Sequence, residues 1–127
     1  MKLTCICPCW KRPQRNLRAM KSVAEQKFTG AETLFIGDNC PLFQKQMDDG
    51  LFDQYIEQAA AKGNVIKVMN LPEHHGGWGH MGRLEGINMA QGKYICFLDN
   101  DDMLLPNHFE SYYSFIESSP NFDAIYF

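Results

Sequence analysis

A chain of 127 residues fits one domain, and a domain of this size buries about two-thirds of the surface that its unfolded form exposes. Its 45% hydrophobic and 21% charged residues are typical of an ordinary globular protein. The formal net charge of -3 gives no electrostatic reason for binding nucleic acid, and no apolar run suits a signal peptide or a transmembrane segment. Five cysteines without a secretion signal favour a reducing compartment, so we expect a single-domain cytoplasmic protein over residues 1–127.

Short apolar runs alternate with helix-like spacing along the whole chain. The runs predict strands over residues 3–7, 33–36, 65–69 and 94–98, with a fifth starting over residues 124–127. Pro13 and Pro106 suit the starts of helices, and three apolar stripes have helical spacing. The stripes are Leu17, Met20 and Ala24; Phe52, Tyr55, Ile56 and Ala59; and Phe109, Tyr112, Tyr113 and Ile116. This alternation predicts an α/β domain, a three-layer sandwich with a mostly parallel sheet.

The residues that follow each predicted strand are the first candidates for a site, because ligands bind beyond the carboxyl ends of parallel strands. Four such loops carry carboxylates, an arginine, aromatic rings and glycines. They are residues 8–13 (PCWKRP), 37–41 (GDNCP), 72–80 (PEHHGGWGH) and 99–102 (DNDD). Since a parallel sheet gathers all four at one edge, they predict a binding crevice there.

The last of these loops places three carboxylates, Asp99, Asp101 and Asp102, within four residues. They repel one another unless a positive charge lies among them. A solvated turn in which Asp102 caps the helix entered near Pro106 would explain one aspartate only. A hard cation, Mg2+ or Mn2+, held by carboxylates together with substrate phosphates, explains the set better. On extended backbone Asp99 and Asp101 leave on the same side, so we expect them to share this site.

These segments resemble the family 2 glycosyltransferases of the GT-A fold over almost the whole chain. The family's Phe-Leu-Asp-x-Asp-Asp turn is matched by residues 97–102, and its Pro-Thr-Tyr-Asn-Arg-Pro opening is similar to residues 8–13. Its Val-Asp-Asp-Gly-Ser turn is similar to residues 36–40, and its Ala-Arg-Asn-x-Gly-Ile segment to residues 82–87. Gly37 replaces an acid and Leu84 replaces the usual Asn, whereas Gln26 looks like the Gln that closes the family's first helix.

The resemblance implies the N-terminal, nucleotide-sugar-binding portion of a GT-A domain, apparently truncated after its fifth strand. It implies metal-dependent, inverting transfer of a sugar, which we expect to be UDP-linked, to a hydroxyl of a glycan, lipid or small molecule. In that family the catalytic base lies beyond the segment that ends here at residue 127. The donor-binding residues implied are Pro8, Cys9, Trp10, Arg12, Asp38, Arg83, Asp99 and Asn100, and the metal ligands are Asp101, as the main one, and Asp99.

The resemblance also assigns roles to individual residues. The turn from Pro8 to Trp10 would cradle the nucleoside, Asp38 would accept a hydrogen bond from the base, and Arg83 would reach the base or the diphosphate. Helical spacing independently puts Arg83 on one face with Gly86, Ile87 and Ala90. We expect Ile87 and Ala90 to bury against the sheet, leaving Arg83 at the anion-favouring start of the helix.

Three alternatives stay open. Residues 77–82 (GWGHMG) form a G-x-G-x-x-G about twenty residues before the acidic turn, as in a dinucleotide-binding domain. A zinc site is conceivable from three alternating cysteines and three clustered histidines, although no C-x-x-C pair is present. The chain could also bind a nucleotide without turning it over, with a partner chain or a homo-oligomer covering its apolar end. The residues of the zinc alternative are Cys5, Cys7, Cys9, His74, His75 and His80.

Overall fold

A computed structural model describes residues 1–119, 121, 123 and 124. Its elements in chain order are β1 (Leu3–Cys9), α1 (Pro13–Ala24), β2 (Ala31–Gly37), α2 (Pro41–Asp48), α3 (Asp53–Ala60), β3 (Val65–Asn70), α4 (His80–Met89), β4 (Tyr94–Phe97) and α5 (His108–Ser118). A 3-10 turn, Gly77–Gly79, leads into α4. Apart from Ala124, the predicted fifth strand lies outside the described residues. Among these elements, no helix is both long and apolar enough to cross a membrane.

The four described strands form one parallel sheet in the order β3-β2-β1-β4, which confirms the predicted sheet. Each strand lies within two residues of its predicted bounds; the largest differences are that β1 continues through Pro8 to Cys9 and that β2 begins at Ala31. Strand β4 pairs with β1 only as far as Ile6. Pro8 lies beyond that point, so its missing N–H leaves no hydrogen bond to β4 unmade.

Helices cover both faces of the sheet, as predicted for three layers. On one face, α1, α2, α3 and α5 bury the main core, in which Phe35, Phe43, Phe52 and Phe109 are all at most 1% exposed. A buried side chain of this size contributes about 1.5–3 kcal/mol. On the other face, α4 contacts β1 and β2 over a smaller apolar cluster centred on Ile6. The larger core therefore contributes most of the packing that stabilises the sheet. Helix α4 lies on the opposite face, in close contact with β1 and β2.

Helix α4 approaches the sheet through glycines rather than through the apolar residues that helical spacing had selected. Gly82 and Gly86 are buried, whereas Ile87 is 45% exposed and Ala90 is only partly buried at the end of the helix. A Cβ atom at Gly86 would lie 2.5 Å from Cγ2 of Ile6. The predicted burial of Ile87 and Ala90 is therefore wrong, because the helix backbone lies too close to β1 for side chains on the contact face.

Two buried polar side chains tie the layers together. Gln26, fully buried after α1, donates to the carbonyl of Leu105 at 2.7 Å and accepts from the N–H of Phe109 at 3.0 Å. It thereby joins the end of α1 to the start of α5.

Glu32 makes the corresponding link between the sheet and the turn after α4. Its carboxylate accepts from the Thr4 hydroxyl at 2.7 Å, the Gln91 N–H at 2.6 Å and the Lys67 ammonium at 3.2 Å. Burial alone would raise the pKa of this carboxyl, but the three donors outweigh it and the pKa is lowered from its ordinary 4.5. The ionised form is therefore the one that holds this turn.

We expect Gly86→Val to destabilise the fold by about 1–3 kcal/mol, because its side chain would overlap Ile6 and push α4 away from β1. Urea unfolding followed by circular dichroism measures the change. Ile87→Ala, on the next residue of the same helix, is the matched control and should stay within about 0.5 kcal/mol of the parent protein. Equal effects of the two substitutions would contradict this packing.

We expect Glu32→Gln to cost about 1–3 kcal/mol at pH 7, since it removes a buried charge with three donors. Because the folded-state pKa of Glu32 is lowered, its contribution is complete above pH 4.5 and disappears as the pH falls through the lowered value. Unfolding curves of the two proteins, recorded at several pH values, should therefore converge in acid. Glu57→Gln, at an exposed site, is the control; a pH-independent difference for Glu32→Gln would refute the mechanism.

Candidate functional site

The loop after β1 and the acidic turn after β4 meet although they are far apart in the chain. Nη1 of Arg12 lies 2.8 Å from Oδ2 of Asp101, a residue 89 positions away. Beside this pair, Arg18 donates to the carbonyl of Asp101 at 2.9 Å, and the side-chain amide of Asn100 donates to Oδ1 of Asn16 at 2.8 Å. Helix α1 and the loop before it therefore hold the acidic turn in place.

The backbone of the first loop is bent sharply to make this contact. Lys11 and Arg12 have φ angles of 55° and 52°, a left-handed conformation that residues other than glycine rarely adopt. Such residues cost on the order of 1–3 kcal/mol each and cluster at functional sites. Here the buried Asn16 supports the bend by donating to the carbonyl of Lys11 at 3.2 Å. The bend directs Arg12 to the acidic turn.

Arg83 connects the acidic turn to the loop before α4. Its Nη2 lies 2.6 Å from Oδ1 of Asp99, and its Nη1 donates to the carbonyl of Trp78 at 2.5 Å. Arg83 belongs to the first part of α4, where the helix also favours negative charge. The structure therefore brings together Arg12, Arg83, Asp99 and Asp101, four of the residues selected from the sequence.

The acidic turn is more compact than an extended strand end would be. The N–H of Asp102 bonds to the carbonyl of Asp99 at 3.0 Å, and one carboxylate oxygen each from Asp99, Asp101 and Asp102 lies within 4.8 Å of the others. Asp99 and Asp101 therefore lie close enough to share a site, as predicted, but a turn rather than extended backbone brings them together and adds Asp102. Asp102 does not cap a helix either, since α5 begins at His108 after Asn107.

Carboxylates in this arrangement suit a hard divalent cation, which takes oxygen ligands and keeps part of its shell for water or phosphate. The side chains of Asp99 and Asp101 are 55% and 39% exposed, so a cation can reach them. Over the described ranges, no other group of three His, Cys, Asp or Glu side chains is close enough to hold a metal. The cysteines and histidines of the zinc alternative thus do not form a site, and burial raises the pKa of the Cys7 thiol.

Asp38 holds the loop after β3 rather than facing open solvent. It is 4% exposed, and its carboxylate accepts from the N–H of His75 at 3.0 Å and the N–H of Gly76 at 2.7 Å. Nδ1 of His74 lies 3.0 Å from the same carboxylate, and the His74 ring stacks on Trp10 with the ring centres 4.0 Å apart. Asp38, His74 and Trp10 thus form one unit that joins three loops.

The remaining predicted donor-binding residues, Pro8, Cys9 and Asn100, contact other parts of the fold. Pro8 and Cys9 are buried in β1, and the Pro8 ring lies directly beneath Gly79 and Gly82. The side-chain amide of Asn100 is engaged with α1, as described above. Sequence reasoning placed His74 in the zinc alternative and not among the donor-binding residues, although it lies in a loop that follows a predicted strand.

Two arginines of the site each pair with one aspartate, Arg12 with Asp101 and Arg83 with Asp99. Ion pairs as exposed as these contribute only about 0–1 kcal/mol, so their groups can exchange partners when a ligand with more charge binds. The arrangement can therefore present guanidinium groups to an anion and carboxylates to a cation at neighbouring points. A phosphate ester with a bound divalent cation has both charges.

Comparison with known proteins identifies the family of this chain. The sequence model that describes glycosyl transferase family 2 matches residues 4–126 of this chain. An uncharacterised glycosyltransferase of Rickettsia conorii, RC0461, is 30% identical over 118 residues, which are 93% of this chain and 18% of that protein.

Two solved structures share the fold. Residues 1–349 of TarS from S. aureus, in complex with UDP-GlcNAc, match with a TM-score of 0.76 and 22% identity, covering 93% of this chain and 32% of that one. The mannosyltransferase PcManGT from Pyrobaculum calidifontis, in complex with GDP-Man and Mn2+, matches with a TM-score of 0.63 and 12% identity, covering 80% and 28%.

These matches confirm the predicted GT-A type of fold and the resemblance read from the sequence. The chain spans a third or less of the length of the relatives it matches. The dinucleotide-binding alternative loses its support, because β3 ends at Asn70 whereas the glycine-rich segment begins only at Gly77.

We expect Asp38→Asn to loosen the loop over residues 74–76, because an amide replaces a carboxylate that accepts from two backbone N–H groups. A lost charge-assisted bond of this kind costs about 1–3 kcal/mol. Hydrogen exchange should be faster at the amides of His75 and Gly76 and unchanged within β2. Asp48→Asn, on the exposed side of α2, serves as the control; unaltered protection at both amides would show that Asp38 does not hold the loop.

Proposed function

The chain belongs to glycosyl transferase family 2, and we propose that it is the donor-binding part of an enzyme that moves a sugar from a UDP-linked donor to an acceptor hydroxyl. The observation that carries this proposal is the meeting of Arg12, Arg83 and the acidic turn at the carboxyl edge of a parallel sheet. Ligands of such sheets bind at that edge. The complex of TarS with UDP-GlcNAc supports a uridine nucleotide as the first candidate.

The diphosphate of the donor suits the two arginines. A guanidinium offers forked N–H donors that match phosphate oxygens, and here two of them pair with different aspartates of the acidic turn. Arg12 comes from the loop after β1, and Arg83 comes from α4. We infer that both turn from their aspartates to the diphosphate when the donor binds.

The nucleoside end of the donor suits the unit formed by Trp10, His74 and Asp38. The stacked rings offer an aromatic surface for a flat base, with Trp10 still 38% exposed. Asp38 holds the loop that carries His74, and we propose that its Oδ1, which accepts from the N–H of His75 at 3.0 Å, also accepts from the base. Its role toward the nucleoside, like that of Pro8 and Cys9 beneath it, is part of the proposal.

The acidic turn suits Mg2+ or Mn2+, with Asp101 and Asp99 as ligands. Their hard oxygen donors, solvent access and spacing meet the needs of either ion, and Asp102 adds a third carboxylate within 4.8 Å. Such a cation supplies positive charge against the negative charge that grows on the leaving diphosphate. The Mn2+ in the complex of PcManGT supports this assignment.

We further propose that transfer inverts the configuration of the sugar, by a single attack of the acceptor oxygen opposite the diphosphate. Such an attack needs a general base near the acceptor hydroxyl. Asp48 and Asp49 are poor candidates for it, since they bond to Gln44 and Lys45 on α2. We expect the base, and most of the acceptor site, beyond residue 127.

Calorimetry with UDP and UDP-GlcNAc, each with and without Mn2+, tests the proposed donor site. We expect binding that Mn2+ strengthens, and no heat with NAD. No binding of any nucleotide in either condition would refute the proposal, and a response to NAD alone would support a dinucleotide-binding domain instead. Release of UDP on addition of acceptors would then distinguish a transferase from a module that only binds.

We expect Asp101→Ala to abolish the part of nucleotide binding that depends on metal. The affinity for Mn2+ should fall by at least about 10- to 100-fold. A loss of that size is typical when a residue that only orients a metal-binding side chain is removed, and Asp101 is proposed to bind the metal directly. Nucleotide binding measured in EDTA should change little, which separates loss of the metal from loss of the fold. Asp48→Ala, at an exposed acid on α2, is the matched control; Mn2+-dependent binding that survives Asp101→Ala would exclude Asp101 as the main ligand.

A further inference from the structure

Trp78 is the most exposed of the large apolar side chains described, with 96% of its surface accessible. Its φ angle is 58°, a left-handed conformation that is a genuine outlier for a bulky residue. Exposure of an indole and left-handed backbone both oppose folding, and Trp78 gains no core contact in return. A residue of this kind is better explained by a ligand than by the stability of the fold.

Contacts hold the backbone around Trp78, whereas its ring is exposed. Arg83 donates to the Trp78 carbonyl, and the N–H of Gly76 is bound by the carboxylate of Asp38 at 2.7 Å. Gly79 lies so close to Pro8 that a Cβ atom there would be 2.7 Å from the Pro8 Cβ. The loop therefore presents the indole from a defined position rather than as part of a loose segment.

That position is at the diphosphate end of the site. The guanidinium that holds the carbonyl of Trp78 is the same one that holds Asp99 of the acidic turn. The nucleoside end has its own aromatic surface, the stacked pair of Trp10 and His74. In a nucleotide sugar, the group attached beyond the diphosphate is the sugar, and the acceptor must approach the same point.

We propose that the indole of Trp78 binds the face of a sugar ring, either the transferred sugar or a sugar of the acceptor. This inference rests on the proposed donor site, which locates the diphosphate. One face of a pyranose presents C–H groups with partial positive charge, and the face of an indole is negative, so the two stack while the hydroxyl groups stay in water. A protein partner would need a contiguous apolar patch, whereas the chain neighbours of Trp78 are glycines and histidines.

The test uses Trp78→Asn in the 127-residue chain, with Trp78→Phe as the conservative variant. Asn tolerates left-handed backbone, and the bond from Arg83 goes to a main-chain carbonyl, so we expect an unchanged or higher melting temperature for Trp78→Asn. Leu84→Ala, which alters an exposed apolar residue on the following helix α4, is the matched control. Loss of sugar binding without loss of stability is a result that a merely structural role of Trp78 would not give.

Two titrations in Mn2+ separate the two sources of the sugar. The first compares UDP with UDP-GlcNAc, and the second adds neutral oligosaccharides to protein saturated with UDP. We expect UDP to bind equally to all variants, and Trp78→Asn to weaken one of the sugar-dependent steps by about 2- to 10-fold, with Trp78→Phe in between. An effect in the first titration assigns the donor sugar, and one in the second assigns the acceptor.

Two failures are distinguishable. If UDP does not bind the parent protein, the proposed donor site is wrong and the inference falls with it. If UDP binds but neither sugar-dependent step exists or responds to Trp78→Asn, the donor site stands and the role of Trp78 is refuted.

Discussion

The parallel pairing of β1 with strands on both sides is the constraint on which the site depends. Because β2 and β4 run in the same direction as β1, the loops that follow all three strands emerge at one edge. This is why Arg12 can reach Asp101 across 89 residues of chain, and why Asp38 lies behind the same edge. Glycine contacts then set α4 close to β1, which brings Arg83 over the end of the strand.

Charge pairing explains how the acidic turn can hold two of its three aspartates, Asp99 and Asp101, close together. Each arginine neutralises one carboxylate, from helices or loops on different sides of the sheet. Both pairs are partly exposed. They hold the side chains in place, yet breaking either pair when a ligand binds costs little free energy. The same groups are thus available to a cation and to a diphosphate, which links the stability of the unliganded turn to the binding that we propose.

Sequence alone predicted the sheet, four of the five described helices and the residues of the acidic turn, because burial on both faces of parallel strands leaves a clear apolar signal. It missed α2, a short helix in which Phe43 and Gln46 are the buried residues, so no apolar stripe marks it. It chose the wrong face of α4, since periodicity counts side chains and cannot see a contact made by Gly86. It also could not foresee that Asp38 holds the loop after β3, because that contact spans 37 residues or more and involves backbone N–H groups.

Paramagnetic broadening of amide signals by Mn2+, in the presence of UDP, tests the central claim most directly, since it locates the metal on the fold without relying on activity. We predict that signals of residues 99–102, Arg12 and Arg83 broaden first, that those of α2 and α3 persist, and that EDTA reverses the effect. Broadening centred elsewhere, or spread evenly over exposed carboxylates such as Asp48 and Asp53, would contradict a metal and diphosphate site at the carboxyl edge of the sheet.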